Sequence, residues 1–518
     1  MQGFMAKALK SRASKQQYVS PHQLNLAGFE SPFANQLVST NRWVILAGKI
    51  PWDTLVSTYN RQLGNKFTGA GSINPRVAIG AIIIKHLCNI SDRETILQIQ
   101  ENMYMQYFIG YSSFSNEAPF DASLFVDIRK RLTLEHINEI NEKILGIVNK
   151  AEAEKADNNN DNDQGTVKVE LSRESSDNVA DAADNTDSGP ANDGSLLMDA
   201  TACPQDIAYP TDLNLLSDAR EKSEELIDWL QEHVTTAKPR TYREVARKKY
   251  LRTAQKKKKT KREIRNAIRE QLQYLKRNIG SIHKLLAQLN TIPLSDKQYK
   301  YLLVIQTLYE QQKYMYDHKV HSVEHRIVSI HQPHVRPIVR GKTNANVEFG
   351  SKIQVSLVKG VAFLDELSWD AFNEGTRLIQ SVEKYKVRFG FYPKEVLADK
   401  IYCTRENRKW LKGNDIKLRA KPLGRPSSNG ALSNPVRPGE RNPIEGKFGQ
   451  AKTAYGMNRV KARLSQTSES WIASIVLVLN LINIIGNAPL CLQLIKIVFK
   501  KIENLIYPQN LKTKILLT

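Results

Sequence analysis

Three acidic residues stand where their carboxylates could meet at one point. Asp199 lies in the apolar, strand-like segment LLMDAT, and Asp399 closes a second such segment, VLAD. Strand-end carboxylates that face a cleft lie where open α/β sheets place their ligands. Glu445 lies in RNPIEGKFGQAK, which as a helix would carry Arg441, Glu445 and Lys452 along one face. Such a face would bring a carboxylate next to two cations suited to phosphate groups.

Convergent carboxylates are what metal-assisted cleavage of a phosphodiester requires. Hydrolysis needs an activated water and neutralisation of the leaving oxygen, and two divalent cations roughly 4 Å apart supply both. Hard cations such as Mg²⁺ and Mn²⁺ prefer carboxylate oxygens, so three or four acids must reach one place. Each acid taken singly has an ordinary alternative, because a strand-end Asp more often serves as a cap or a turn residue.

The segments around these acids predict strands and helices in alternation. SLLMDATAC followed by DIAYP predicts a β-hairpin or two neighbouring strands, and Asp212 then caps a helix that runs to about residue 234. Strand patterns return at residues 353–363, around a Lys359-Gly360 turn. A helix is predicted over 374–389, and a short strand over 395–398 leads to Asp399.

Strands on both sides of a helical block indicate one α/β domain, formed by residues 195–216 and 327–490, with an insertion. The insertion, residues 217–326, is predicted to be a helical hairpin or small bundle with a very basic stem. Residues 238–277 carry 17 Lys and Arg against three Glu, a net charge of +14. Four cations of this stem are consecutive: Lys256, Lys257, Lys258 and Lys259. The stem either contacts the DNA backbone or is a solvated spacer.

Residues 1–150 are predicted to form a separate all-α domain. An apolar run at 77–88 is too short to span a membrane, and Ser91 with Glu94 matches a capping box at the start of the next helix. A further helix begins near Asp121 and carries three cations, Arg129, Lys130 and Arg131. Several short helices with a basic last helix suit a DNA-binding domain, although any helical bundle could show this pattern.

Residues 151–194 differ from both neighbours. Between 152 and 193 there are twelve acidic and three basic residues and almost no large apolar side chains. Such a segment cannot bury enough surface to offset its ordering entropy, so we predict an acidic disordered linker. Its negative charge could also shield a basic cleft by imitating DNA. Residues 491–518 are assigned to a C-terminal tail.

The composition favours a polyanionic partner in a reducing compartment. The chain has 75 Lys and Arg against 53 Asp and Glu, a formal charge of +22. Its four cysteines form no CxxC pair, so a disulfide framework is not indicated and the cytoplasm is expected. The apolar run at 471–485 is shorter than the ~20 residues of a membrane span and contains two Asn, so we predict a buried helix.

The longest motifs resemble those of bacterial insertion-sequence DDE transposases. The similar segments are LLMDATACPQDIAYPTDLNLL, ADKIYCTRENRKWLK and ERNPIEGKFGQAKTAYGMNRVKARL, together with SINPRVAIGAIIIKHLCNISDRETILQIQENMYMQYFIG near the N-terminus. The last motif of one large group in that family reads Tyr-x2-Arg-x3-Glu-x6-Lys. Arg441, Glu445 and Lys452 match its spacing, whereas Pro438 stands at the Tyr position.

The resemblance implies a fold, a reaction and a set of ligands. The fold is an RNase H-like mixed sheet with flanking helices and a helical insertion after the second strand. Asp199, Asp399 and Glu445 would bind two Mg²⁺ or Mn²⁺ ions, and Arg441 and Lys452 would bind phosphates near the cut, with Lys447 as a further candidate DNA contact. The enzyme would bind the terminal inverted repeats of its own element, cleave the ends and join the freed 3′-OH to target DNA.

The expected partners follow from the same resemblance. They are double-stranded DNA and a second copy of the chain, in a cytoplasmic, nucleoid-associated complex, with no membrane. Two other classes remain open: an inactive or domesticated DNA-binding protein, and a structure-selective nuclease on the same fold. Gly-rich nucleotide-binding loops are absent from the sequence, so no nucleotide cofactor is expected. A zinc site is a weaker alternative and would use a histidine cluster, in which the first three residues would share a helical face: His318, His321, His325, His331 and His334.

Overall fold

The computed structural model describes residues 37–61, 73–146, 191–342, 345–421, 437 and 439–485. Most of the predicted acidic linker, the C-terminal tail and Pro438 lie outside these residues. The last four linker residues are described: the Asn192 amide donates to the backbone oxygen of Asn414 at 2.7 Å, and the Gly194 carbonyl accepts from the Glu395 N–H.

In the described part of the N-terminal region the chain forms short helices. Their bounds are α1 (Arg42–Lys49), α2 (Trp52–Asn60), α3 (Pro75–Cys88), α4 (Asp92–Glu101), α5 (Met103–Phe108), α6 (Phe125–Arg131) and α7 (134–146). The predicted apolar run is α3, which is buried on all sides rather than along one face. Ser91 caps α4 by accepting a hydrogen bond from the Glu94 N–H, which is one half of the predicted capping box, while the Glu94 carboxylate accepts from Gln98. The helical prediction for this region is therefore confirmed.

The sheet of the described C-terminal region is mixed. Its strands are β1 (Ser195–Pro204), β2 (Arg336–Lys342), β3 (Ala345–Val358), β4 (Val361–Ser368), β5 (Glu395–Leu397) and β6 (Lys417–Arg419). The order is β2-β3-β1-β5-β6, and β4 pairs with β3. Strand β1 is antiparallel to β3 and parallel to β5, which is parallel to β6. Between β3 and β4, Lys359 and Gly360 form the predicted turn, both with positive φ.

Helices flank the sheet, and a helical insertion separates β1 from β2 in the chain. The flanking helices are α12 (Leu378–Phe389), α13 (Arg405–Gly413), α14 (Asn442–Thr453) and α15 (Ser465–Ile485). The insertion consists of α8 (Asp212–Gln231), α9 (Arg243–Ala254), α10 (Lys261–Leu286) and α11 (Asp296–His318). It has its own hydrophobic core, in which Leu275, Ile282 and Ile305 are buried. The predicted small bundle is therefore present, and Leu272, Leu275 and Ile282 of α10 face its core.

Two local predictions around the insertion were wrong. DIAYP forms no second strand of a hairpin, because β1 runs straight through to Pro204 and takes β3, about 150 residues later in the chain, as its partner. The insertion consequently follows the first strand rather than the second. The cap of α8 is Thr211, whose hydroxyl accepts from the Asn214 N–H, and Asp212 is already the first helical residue.

The expected separation of the N-terminal helices from the α/β domain also needs correction. One continuous hydrophobic core contains residues of both, such as Ile83 of α3 and Phe363 of β4. Helix α15 lies between them and contacts α1, α3 and α6 on one side and β4 and α14 on the other. This helix contains the predicted apolar run, which is buried from Trp471 to Leu481, so the prediction of a buried helix is confirmed for these residues. Among the described residues, no helix is long and apolar enough to cross a membrane.

Two asparagine side chains close the outer edge of β4. Asn480 of α15 donates to the backbone oxygen of Ala362 at 2.7 Å and accepts from its N–H at 2.8 Å. Asn138 of α7 makes the same pair of bonds with Leu364, at 2.9 and 3.3 Å. The amide groups thus occupy the positions where a further strand would pair, and they satisfy an edge that would otherwise present unpaired backbone groups.

We expect Asn480→Leu to lower the free energy of unfolding by about 2–4 kcal/mol, because it leaves a buried N–H and a buried carbonyl of Ala362 without partners. Denaturant unfolding of the full chain measures the change. Asn483→Leu, at an exposed position of the same helix, is the control and should have a much smaller effect. Equal losses in the two variants would show that the amide pair is not what holds β4 to α15.

Candidate active site

The register of the central strands brings Asp199 and Asp399 side by side. Strands β1 and β5 are parallel, with Leu197 opposite Leu397. Two residues further along each strand stand Asp199 and Asp399, so the same register places them level at the carboxyl end of this pair. Asp399 ends its strand by capping a short 3₁₀ turn, since its carboxylate accepts from the Lys400 N–H at 2.7 Å. The strand-end placement predicted for this acid is thus what the structure has.

Helix α14 supplies Glu445 above this strand end. The predicted helix is present, with Arg441 at its N-cap position and Pro443 in its first turn. Ile444 and Ala451 are buried and fix the helix against the core. The neighbouring positions on the helix, Glu445 and Lys452, line the same cleft as Asp199 and Asp399. The cleft has a volume of ≈ 800 Å³.

One guanidinium group joins the three acids. Arg441 Nη2 lies 2.9 Å from Asp199 Oδ2, and its Nη1 lies 3.5 Å from Asp399 Oδ1 and 4.0 Å from Glu445 Oε1. The three carboxylates predicted from the sequence therefore converge on a single positive charge. Glu440, the neighbouring acid, pairs instead with Arg419 and is not part of this group.

Burial sets the protonation behaviour of the central acid. Burial raises the pKa of Asp199 to about 6, and the carboxylates of Glu374 and Asp399 push it in the same direction. The Ala200 N–H and Arg441 oppose this shift without cancelling it. Loss of hydration is therefore the main reason that the charged form of Asp199 is disfavoured, and the neighbouring carboxylates add to it.

Glu374 is a fourth carboxylate of the cleft and was missed in the sequence. It begins a 3₁₀ turn before α12 and pairs with Lys352 of β3, Nζ to Oε1 2.9 Å. Lys352 also lines the cleft and donates to the backbone oxygen of Phe372. No motif marks Glu374, because it reaches the cleft through its ion pair with Lys352 of β3 and through the contact of its turn with the turn that follows Asp399.

The donor set fits hard divalent cations in its chemistry. Carboxylates from two adjacent strands and one helix meet where the parallel pairing of β1 and β5 ends, and carboxylate oxygens are the ligands that such cations prefer. As the side chains stand, no group of three or more His, Cys, Asp or Glu among the described residues is arranged to hold a metal ion. The position between the three acids is taken by the guanidinium of Arg441.

Other cations predicted to contact DNA differ in their surroundings. Arg129 is buried and pairs with Asp92, and its guanidinium lies over the Trp471 ring, so it stabilises the contact between α6 and α15. Lys447 points into the protein and donates to the backbone oxygen of Leu479 at 3.3 Å, and burial lowers its pKa to about 8. The apolar helix α15 packs against both side chains, so neither is directed toward solvent.

Away from the cleft, the remaining candidate cations are exposed except for Arg131, which is half-buried. Lys130 is exposed beside Asp127, and Arg131 donates to the Tyr59 hydroxyl. The four lysines Lys256, Lys257, Lys258 and Lys259 are exposed in the loop that joins α9 and α10. Lys256 pairs there with Glu263, which also takes part in the capping box of α10.

The histidine cluster is not arranged as the zinc alternative assumed. Helix α11 ends at His318, and the next residue, Lys319, has a left-handed conformation. His321 and His325 consequently do not continue the helical face of His318. His334 packs edge-on against Trp369, and burial lowers its pKa to about 4.

Comparison with known protein families gives two matches. Residues 396–482 match the family described as "Transposase DDE domain", and residues 32–131 match a family described as "Transposase domain". The first match contains Asp399, Arg441, Glu445 and Lys452 but not Asp199. A protein of Rhizobium meliloti, described as uncharacterized protein ORF8 in the nfe locus, is 34% identical over 100 residues, which are 19% of this chain and 46% of the relative. No solved structure matches the chain.

Proposed function

We propose that this chain, which its two family matches indicate to be an insertion-sequence DDE transposase, cleaves the DNA ends of its own element and joins them to target DNA. The observation that carries the proposal is the convergence of Asp199, Asp399 and Glu445 on one guanidinium, where the parallel pairing of β1 and β5 ends. Two adjacent strands and one helix supply them, which is the arrangement that a two-metal site for phosphodiester cleavage needs.

The proposed fold of the catalytic region is RNase H-like. The mixed sheet supports this assignment, since a parallel pair, β5 and β6, continues an antiparallel set through β1. The helical insertion between β1 and β2 is compatible with it as well. Because α15 and the N-terminal helices share the core of the sheet, the proposed DNA-binding N-terminal region would be held rigidly beside the catalytic cleft.

In this mechanism the protein fixes the place at which a DNA strand is cut. Two Mg²⁺ or Mn²⁺ ions, when bound, would supply an activated water and stabilise the leaving oxygen. Asp199 and Asp399 are held level by the strand register, and Glu445 approaches from α14. Arg441 and Lys452 would hold phosphates on either side of the cut, so that the attacking oxygen, a water or a DNA 3′-OH, is aligned with the scissile bond.

The proposed partners are double-stranded DNA and a second copy of the chain, in the bacterial cytoplasm. The exposed lysines between α9 and α10 would contact the DNA backbone without reading its sequence. Arg129 and Lys447 are left out of the proposed DNA contacts because both are covered by α15. No nucleotide cofactor enters the proposed reaction.

We expect Asp199→Asn, Asp399→Asn and Glu445→Gln each to reduce cleavage of DNA carrying the element's inverted repeats by more than about 100-fold, the size of effect seen when one aligned electrostatic group is removed from an active site. Binding to the same DNA should persist, because it depends on the basic surfaces. A nicking assay with Mg²⁺ or Mn²⁺, and with EDTA as the blank, measures cleavage. A gel-shift assay measures DNA binding.

Glu440→Gln is the matched control, since Glu440 lies five residues before Glu445 but pairs with Arg419. It should retain most of the cleavage activity. Normal turnover by Asp399→Asn would contradict the proposed site. Cleavage without strand transfer by the unmodified chain would identify a nuclease rather than a transposase, and DNA binding without cleavage would identify an inactive copy.

The two lysines of α14 have different surroundings, because Lys447 packs against α15 whereas Lys452 lines the cleft. We expect Lys452→Gln to weaken DNA binding several-fold, whereas Lys447→Gln should leave it nearly unchanged, because Lys447 faces Leu479 instead of the cleft. Fluorescence anisotropy with labelled duplex at one salt concentration compares the two. If both substitutions weaken binding equally, the burial of Lys447 does not persist in solution.

Replacing Lys256, Lys257, Lys258 and Lys259 together with Gln should weaken binding of any DNA sequence to a similar degree. The slope of log affinity against log salt should also flatten, by up to ~0.9 for each phosphate group that the variant no longer neutralises. Lys313→Gln in the same insertion is a control, since Lys313 pairs with Asp317 on α11. An unchanged slope in the fourfold variant would mean that this loop is a solvated spacer.

A further inference from the structure

Arg441 occupies a place that its proposed role in binding phosphate does not explain. Its guanidinium stands between Asp199, Asp399 and Glu445, in contact with all three. Carboxylates brought this close repel one another. A positive charge among them lowers that repulsion and allows the side chains to remain directed at one point.

The guanidinium is nevertheless incompletely satisfied where it stands. Arg441 Nε is buried and has no hydrogen-bond partner in the described structure. Two of its three ion-pair distances, 3.5 and 4.0 Å, exceed those of a well-formed hydrogen bond. A buried donor without a partner destabilises the position that contains it. The position is therefore one that Arg441 could leave when a better set of partners is offered.

We propose that Arg441 is a positioning residue that holds the three carboxylates together while the cleft contains no metal, and that divalent cations must displace it in order to bind. This inference rests on the proposed function. The guanidinium and the cations require the same carboxylate oxygens, so the guanidinium and a metal ion cannot occupy the position between the three acids at the same time. Binding of either one is weakened by the free energy that the other contributes.

The displaced side chain has a destination in the same cleft. Arg441 is the N-cap residue of α14, one helical turn before Glu445, so a change of rotamer moves the guanidinium while its Cα stays fixed. A guanidinium binds a phosphate through two parallel hydrogen bonds, and a DNA strand in the cleft would offer such a group. A single residue would thus act first on the carboxylates and then on the substrate, and DNA would favour metal binding by drawing Arg441 away.

The test measures metal binding directly, with the full chain and without DNA. Mn²⁺ is titrated into the metal-free protein, and free Mn²⁺ is followed by its electron paramagnetic resonance signal. Arg441→Gln should bind Mn²⁺ roughly tenfold more tightly than the unmodified chain, a factor that corresponds to ~1.4 kcal/mol. Arg441→Lys keeps the charge but contacts fewer oxygens at once, so its affinity should lie between the two.

Two controls make the outcome specific. Arg459→Gln removes one positive charge from an exposed position that pairs with Asp206, and it should leave Mn²⁺ affinity unchanged. Thermal unfolding of each variant shows whether it is folded. If Arg441→Gln proves unfolded, Arg441→Lys carries the test alone, and an Mn²⁺ affinity equal to or below that of the unmodified chain overturns the proposal.

Asp199→Asn distinguishes a failure of this inference from a failure of the proposed function. If Mn²⁺ binds and Asp199→Asn abolishes binding, the metal site of the proposed function stands. Equal or weaker affinity in folded Arg441→Gln then overturns the displacement of Arg441 alone. If Mn²⁺ binding does not depend on Asp199, the metal site of the proposed function is wrong, and the present inference is overturned with it.

Discussion

The structure around the cleft depends on one electrostatic constraint, which is that several negative charges must be kept close together in a partly buried place. Burial raises the pKa of Asp199, and the nearby carboxylates raise it further. Free side chains in this situation would turn apart or take up protons. The sheet and α14 hold the backbone positions, and the charge of Arg441 makes the convergence tolerable. The site is thus preorganised by positive charge as much as by backbone geometry.

The acids themselves could be predicted because each carries its evidence locally. An Asp at the end of an apolar segment and a Glu spaced between two cations on a helix are visible within a dozen residues. The role of Glu374 could not be predicted in the same way, since it depends on β3 lying beside β1, a pairing between segments about 150 residues apart. The false hairpin has the same origin, because a local turn signal competed with a partner strand that lay beyond the insertion.

Burial was the second property that the sequence did not reveal. Arg129 and Lys447 look like surface cations in the sequence, but α15 covers both. This helix lies more than 300 residues after Arg129 in the chain and follows Lys447 as the next helix. That α15 is a core helix was predictable from its length and composition. Which cations it would cover was not, because the contact depends on how the N-terminal helices pack against the sheet.

The asparagines that close the edge of β4 have a consequence for the way this chain can be divided. One of them belongs to α7, in the N-terminal region, and the other to α15. A fragment that begins at β1 would lose Asn138 and the apolar cover of α15 together, and it would present both a strand edge and an uncovered helix to solvent. Such a fragment is prone to self-association through added strands. The two regions therefore form one folding unit, although a long acidic segment separates them in the sequence.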